Sequence, residues 1–468
     1  METVQRRRRT RMATALGLCL TASLSLSACT LGWAGGGAGA EGSLNVIMVN
    51  NPQMTDLQRL TEEHFTAETG IAVNYTILPE NDLRDLVSQE FTSQSGQYDV
   101  ATLSNFEIPI YARAGWVAAL DDYIAADPDF DQDDILQSMT TSLTVDGSVY
   151  GEPFYGESSF LMYRKDIFER EGIEMPEEPT WQEVAEIAAQ VDGAEPGMSG
   201  ICLRGQPGWG QIFAPLTTVV NTFGGTWFAS EEQNSTRGMQ PMVDSPEFTE
   251  AVTFYVDLVR EHGQRGAPNS GFVECLNNLT QGNSAMWYDA TSAAGSLEAD
   301  GSPVQGLLGY APAPVVETES SGWLYAWSFA IQEASENKDD AWEFISWASS
   351  KEYEELVGEE VGWAQVPSGK RASTYDNPDY LEVAGAFAEP TRRAIEAADP
   401  QDPGLQPRPA MGIQFIGLPE FPELGTQVSQ DISAAIAGRM SVEEALDRGQ
   451  QLAEDIAERY QAREERDR

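Results

Sequence analysis

Arg204 lies in the run Leu203-Arg204-Gly205-Gln206-Pro207-Gly208-Trp209-Gly210, a guanidinium set between glycines and a proline with an indole close by. A planar fork of this kind grips two neighbouring oxygens at once, and an aromatic ring covers a face of C–H bonds. The same pairing of types recurs along the chain. Asp289 follows the apolar run Ala285-Met286-Trp287-Tyr288, which places it at a strand end, and Trp323 and Trp327 stand in Trp323-Leu324-Tyr325-Ala326-Trp327-Ser328. Asn51, Glu80 and Asn81 fall in turns after other apolar runs. Such a set suits a small solute with paired hydroxyls and C–H faces, a sugar or sugar alcohol. Each residue also has a structural alternative: an ion pair for Arg204, a helix cap for Asp289, and local turn bonds for Asn51, Glu80 and Asn81. Trp209, Trp323 and Trp327 are the stacking candidates, whereas Trp116, Trp181, Trp287, Trp342 and Trp347 sit in patterns that suit core packing.

Composition narrows the alternatives. The chain has 468 residues, 28 Lys and Arg against 74 Asp and Glu, and a formal net charge of −46. A phosphate-binding face needs clustered positive charge, so nucleic acid is excluded as a partner. Two histidines leave little for a zinc site or for His-based acid–base chemistry, and no metal or cofactor is implied. The length is enough for two or three domains with ample core.

The first residues read as an export signal rather than as part of the fold. Arg6-Arg7-Arg8-Arg9-Thr10-Arg11 precedes an apolar stretch from Met12 to Leu26, then Leu26-Ser27-Ala28-Cys29. A basic segment followed by a short apolar one is too short to span a bilayer and matches a signal at 1–28. The Leu-Ser-Ala-Cys ending resembles a bacterial lipobox, which implies lipidation of Cys29 and a body held on the outer face of the cytoplasmic membrane. The alternative is an ordinary cleaved signal with an incidental cysteine. Residues 29–42, rich in Gly and Ala, read as a flexible tether.

The body alternates strands with helices. Leu44 to Val49, Ile71 to Ile77 and Tyr98 to Leu103 are short apolar strand runs. Between them, Met54, Leu57, Leu60 and Phe65 share a helical face that ends at Gly70. Thr180-Trp181-Gln182-Glu183 carries a capping box, and Val442, Leu446, Leu452 and Ile456 mark a long C-terminal amphipathic helix. This alternation predicts an α/β fold with a parallel sheet whose ligand loops lie at the carboxyl ends of strands. No linker cuts the body after Ser43, so its lobes are interwoven by several crossings.

In this order and spacing, a set of segments resembles the extracellular solute-binding proteins of ABC importers, in the sorbitol- and mannitol-binding branch. They are Val49-Asn50-Asn51-Pro52, Leu78 to Arg84, Tyr155-Gly156-Glu157-Ser158-Ser159, the Arg204 and Asn221-Thr222-Phe223-Gly224-Gly225 segments, Ala285 to Thr291, Trp323 to Ser328 and Gly412-Ile413-Gln414-Phe415. The resemblance runs from about Leu44 to Leu452. It implies two α/β lobes joined by hinge crossings, closing on a polyol or monosaccharide in the cleft, with lobe one at 43–153 and 306–365 and lobe two at 154–305 and 366–468. It places Tyr155 and Glu157 at the first hinge and cleft wall, and adds Gln414 to the ligand set. It further implies a monomer that hands its cargo to permease subunits driven by a separate ATPase, since this chain has no nucleotide motif.

With the two signal-region cysteines set aside, Cys202 and Cys275 form an even pair in an exported chain and read as a disulfide, with two buried free thiols as the alternative. Two other functions compete with solute binding. An exported glycosidase would need two carboxylates at a fixed gap, but 74 acidic residues make such a pair uninformative. No Gly-x-Ser-x-Gly elbow is present. An adhesin would not need the polar–aromatic segments.

Overall fold

A computed structural model describes residues 42–467. The signal, most of the tether and the lipobox Cys29 lie outside the described residues. In chain order the main strands are β1 (Ser43–Val49), β2 (Ala72–Leu78), β3 (Val100–Ser104), β4 (Glu152–Glu157), β5 (Ser159–Arg164), β6 (Ser199–Cys202), β7 (Ser284–Ala290), β8 (Leu308–Pro312) and β9 (Tyr325–Ile331). They form two sheets, a five-stranded one ordered β2-β1-β3-β9-β4 and a four-stranded one ordered β8-β5-β7-β6.

The first sheet is built on β1, whose Leu44, Val46, Ile47 and Met48 are fully buried and which runs parallel to β2 and β3. Such a doubly covered central strand reads as a continuous apolar run, as it does here. Each parallel strand delivers the chain to a helix. β1 leads to α1 (Pro52–Thr61), with Asn51 at its N-cap and Pro52 in the first helical turn, where no N–H is needed. β2 leads through Pro79 to α2 (Glu80–Ser93). Asn51 and Glu80 therefore sit side by side at the carboxyl end of the sheet. The face with Met54, Leu57, Leu60 and Phe65 is buried, and the turn closes on Gly70 at φ 80°, a left-handed conformation that suits glycine.

The second sheet carries α3 (Trp181–Val191), α4 (Phe213–Thr222), α5 (Pro246–His262) and α6 (Phe272–Thr280). The capping box at the start of α3 is formed: Thr180 Oγ1 accepts from Glu183 N–H, and the Glu183 carboxylate accepts from Thr180 N–H. The chain ends in α7 (Phe421–Ile436) and α8 (Val442–Asp467), which pack on each other and on α5.

Two sequence expectations need correction. Neither sheet is wholly parallel: β9 runs antiparallel to both β3 and β4, and β5 antiparallel to β7 and β8. The cause is the interweaving itself, because a strand returning from the other lobe enters without a crossover helix to reverse it. The lobe boundaries also move. β4 keeps the chain in the first sheet to Glu157 rather than 153, and β8 keeps it in the second to Pro312 rather than 305. Residues 368–373 still bond to the first lobe, through Gly156 N–H to Ser368 O and Ser373 to Asp134, so the last crossing falls after 366. Continuous hydrogen-bonded strands carried across the boundary leave no change of composition at which to see it.

Candidate functional site

The two lobes meet over a narrow cavity of about 30 Å³. From the first lobe, its wall takes Asn51, Glu80 and Arg84 of the two helix starts and Tyr325 and Trp327 of β9; Glu157 ends β4. The second lobe supplies Arg204, Phe272 and Ser292, and the loop before α7 adds Gln414 and Phe415. Trp323 lines the cavity as well, and its buried Nε1 has no hydrogen-bond partner among the described residues.

One guanidinium from each lobe lines the cavity, and both are already paired with carboxylates. Arg84 donates to Glu80 Oε1 at 2.8 Å, to Glu107 Oε2 at 3.0 Å and to the Tyr325 hydroxyl at 2.8 Å. Burial works against its charge, but Tyr325, Glu107 and Glu80 together push its pKa up. Arg204 donates from Nε to Asp289 Oδ2 at 2.8 Å and from Nη2 to Asp289 Oδ1 at 2.5 Å, a bidentate pair. Burial again opposes the charge, and Asp289 more than restores it. A site whose cations are spoken for offers planar donors without net positive charge, which favours neutral hydroxyl compounds over sugar acids or phosphates.

Of the sequence candidates, Asn51, Glu80, Glu157, Arg204, Trp323, Trp327 and Gln414 line the cavity. The other four stand one layer back. Asp289 is fully buried on β7, where it holds Arg204 and accepts from Trp287 Nε1 at 3.0 Å and from Ala290 N–H at 2.7 Å. It is the penultimate residue of β7 and turns into the protein rather than lining the cavity. Tyr155 accepts from Asn51 Nδ2 at 2.8 Å and so sets that amide. Asn81 donates to Pro207 O at 3.1 Å across the cleft. Trp209 packs under the first-lobe cation, with the Arg84 guanidinium 4.0 Å from its ring centroid and Phe106 and Phe415 at 5.1 and 4.9 Å. It stacks on an arginine rather than on the cavity space.

Sequence reasoning missed Arg84, Tyr325, Phe272, Ser292 and Phe415. For Arg84 a signal existed: it lies four residues after Glu80 on one helix, the spacing at which side chains meet. Tyr325 and Phe415 lie inside segments that carry the family resemblance, whereas Phe272 and Ser292 bear no local mark. A further pair closes the cleft, since Gln211 Nε2 donates to Glu80 Oε2 at 2.9 Å. Cys202 and Cys275 are joined, with sulfurs 2.02 Å apart, tying the end of β6 to α6 behind Arg204 and Phe272. Among the described residues no helix is long and apolar enough to cross a membrane.

Comparison with known proteins agrees with this architecture. The family model described as bacterial extracellular solute-binding protein matches residues 51–355. A mannitol-binding protein of Pseudomonas aeruginosa is 39% identical over 416 residues, covering 88% of this chain and 92% of its own. An erythritol/L-threitol-binding protein of Mycolicibacterium smegmatis is 27% identical, covering 74% and 78%. A solved ABC-transporter solute-binding protein from Agrobacterium vitis, with bound D-mannitol, superposes with TM-score 0.85 at 41% identity, covering 89% of this chain and 98% of that one. The chain belongs to the bacterial extracellular solute-binding protein family, and it is a binding protein rather than an enzyme, which sets the glycosidase reading aside.

Proposed function

We propose that this chain captures a sugar alcohol of the mannitol type, or a related monosaccharide, and delivers it to the permease of an ABC importer. The observation that carries this reading is the cavity between the lobes, where Arg204, Arg84, Glu80, Glu157 and Gln414 meet the rings of Trp323, Trp327 and Phe415. Planar groups of this kind pair with adjacent hydroxyls, and the rings cover the C–H faces between them. The mannitol-binding relative and the mannitol-bound neighbour support the same cargo class. Asn51, Glu80, Glu157, Arg204, Trp323, Trp327 and Gln414 make the ligand contacts, while Asp289, Tyr155, Asn81 and Trp209 position them. Contacts from both lobes favour the closed form, whose outer surfaces dock on the permease, with a separate ATPase driving release.

The exported body works as a monomer, held by a lipid on Cys29 at the outer face of the cytoplasmic membrane. The sequence Leu26-Ser27-Ala28-Cys29 supports the anchor; metabolic labelling with a palmitate analogue, lost in Cys29→Ala, tests it.

The cargo is tested by a thermal-shift panel of hexitols, pentitols, monosaccharides, disaccharides and amino acids. Ligand at about 1,000 times its Kd adds roughly 4 kcal/mol, which moves Tm by several degrees. A shift confined to one or two polyols names the cargo. A shift with disaccharides alone, or with none of the panel, overturns the sugar-alcohol reading.

A further inference from the structure

We propose that Glu157 works in the closed site as an uncharged carboxylic acid that donates a hydrogen bond to a ligand oxygen, so that closing on the ligand takes up one proton from solvent. The inference rests on the polyol reading and deepens it. Glu157 lines the cavity at the end of β4 and is only 7% exposed. Its Oε2 accepts from Ser292 Oγ of the other lobe at 2.5 Å, and no cation lies within ion-pairing distance of it among the described residues.

The charged groups around it explain why none can pair. Arg204 of the second lobe is committed to Asp289, and Arg84 of α2 to Glu80 and Glu107. Tyr155 on its own strand and Tyr325, its register partner on β9, are phenols whose pKa burial pushes further up, so neither brings charge. Lys370, on the segment that bonds to Gly156, is paired with Glu354 at 2.6 Å. The cavity wall and its backing thus hold four carboxyls, Glu80, Glu107, Glu157 and Asp289, against two guanidiniums. A fourth negative charge without a partner is the costly one to bury. Burial raises the Glu157 pKa to about 8, against the opposing Ser292 hydrogen bond and Arg204 charge, with Asp289 and Glu80 adding to the rise. With the lobes apart the carboxyl faces water and returns toward the ordinary glutamate value of about 4.3.

The direction of the pH effect follows from linkage. A group whose pKa is raised in the bound form favours binding below its free pKa, and that advantage is lost as pH rises through its bound pKa. Calorimetric titration of D-mannitol into the protein should give a Kd that rises between about pH 5 and pH 8, by up to tenfold per unit, and levels beyond. Heats in buffers of different ionisation enthalpy should report uptake approaching one proton near neutrality. In Glu157→Gln, whose amide also donates, the slope should vanish, with Kd above the parent's at acid pH and below it at alkaline pH. Glu157→Ala, with no donor, should bind more weakly than Glu157→Gln throughout. Infrared difference spectra of the closed form should carry a protonated-carboxyl C=O band that Glu157→Gln removes. A Kd independent of pH, net proton release, or an unchanged slope in a folded Glu157→Gln overturns the proposal alone. No heat with any polyol at any pH overturns the cargo reading, and the proposal falls with it.

Discussion

Arg204 and Asp289 show how a single side chain divides its work between structure and recognition. At 5% exposure the guanidinium charge is compensated by its carboxylate, while the residue also lines the cavity. Removing one partner leaves an uncompensated buried charge. Asp289→Asn should lower stability by about 3–5 kcal/mol in denaturant unfolding and weaken polyol binding as well. Glu152, at the far end of β4, is the opposite case. It is fully buried, its Oε2 accepts a long hydrogen bond from Gln132 Nε2 at 3.4 Å, and its Oε1 has no partner among the described residues. Burial raises its pKa to about 8, opposed by Gln132 and Arg371. A raised carboxyl pKa means that its favourable contribution is complete below the unfolded value, about 4.3, and lost as pH rises toward 8. Glu152→Gln should therefore stabilise by a few kcal/mol near pH 8, with the gain fading toward pH 4. An equal gain at both pH values would assign the effect to something other than ionisation.

Closing the cleft is a property of elements meeting, and small residues set how near they come. Gly295, in the short helix Ala293–Leu297 of the second lobe, faces first-lobe backbone: a Cβ there would lie 2.3 Å from Ala364 O. A carbonyl on a fixed backbone cannot move aside as a flexible side chain can. Gln365 Nε2 donates to Gly295 O at 2.8 Å in the same contact. Gly295→Val should hold the lobes apart, weakening ligand binding at least tenfold, or about 1.4 kcal/mol, while each lobe keeps its own core. Small-angle scattering with ligand present should show a larger radius of gyration than the parent. Unchanged affinity and unchanged radius would mean that closure does not bring this contact together.

At the scale of the molecule, two lobes share one chain that crosses between them, and a covalent bond stiffens the half without the N-terminal parallel strands. The Cys202–Cys275 bond spans a sequence separation of 73 residues. In the chain-entropy model a loop of that length adds about 4 kcal/mol, an upper value because denatured chains retain structure. Cys202→Ala with Cys275→Ala should lower Tm by several degrees, and ligand binding should weaken with it, since Arg204 and Phe272 sit beside the bonded residues. Loss of Tm with binding intact would show that the bond serves the fold alone.

What the chain declares locally was legible. The capping box at Thr180, the buried face through Met54 and Phe65 and the strand character of β1 and β2 depend on neighbours in sequence, whose physics is fixed by spacing. The family resemblance added Glu157 and Gln414 to the cavity wall. Long-range pairing stayed hidden. Arg84 reaches Tyr325 across 241 positions, and Arg204 reaches Asp289 across 85. With 74 acidic residues to choose from, sequence cannot say which carboxylate an arginine will take. Nor can it separate Trp323, which lines the cavity, from Trp209, which lies under Arg84: both are indoles beside glycine. The sequence by itself determined the α/β lobes, the polar–aromatic chemistry and the absence of a basic face. Only the tertiary structure decided which of those groups lines the cavity and which holds another in place, because burial and partner choice exist only once distant segments have met.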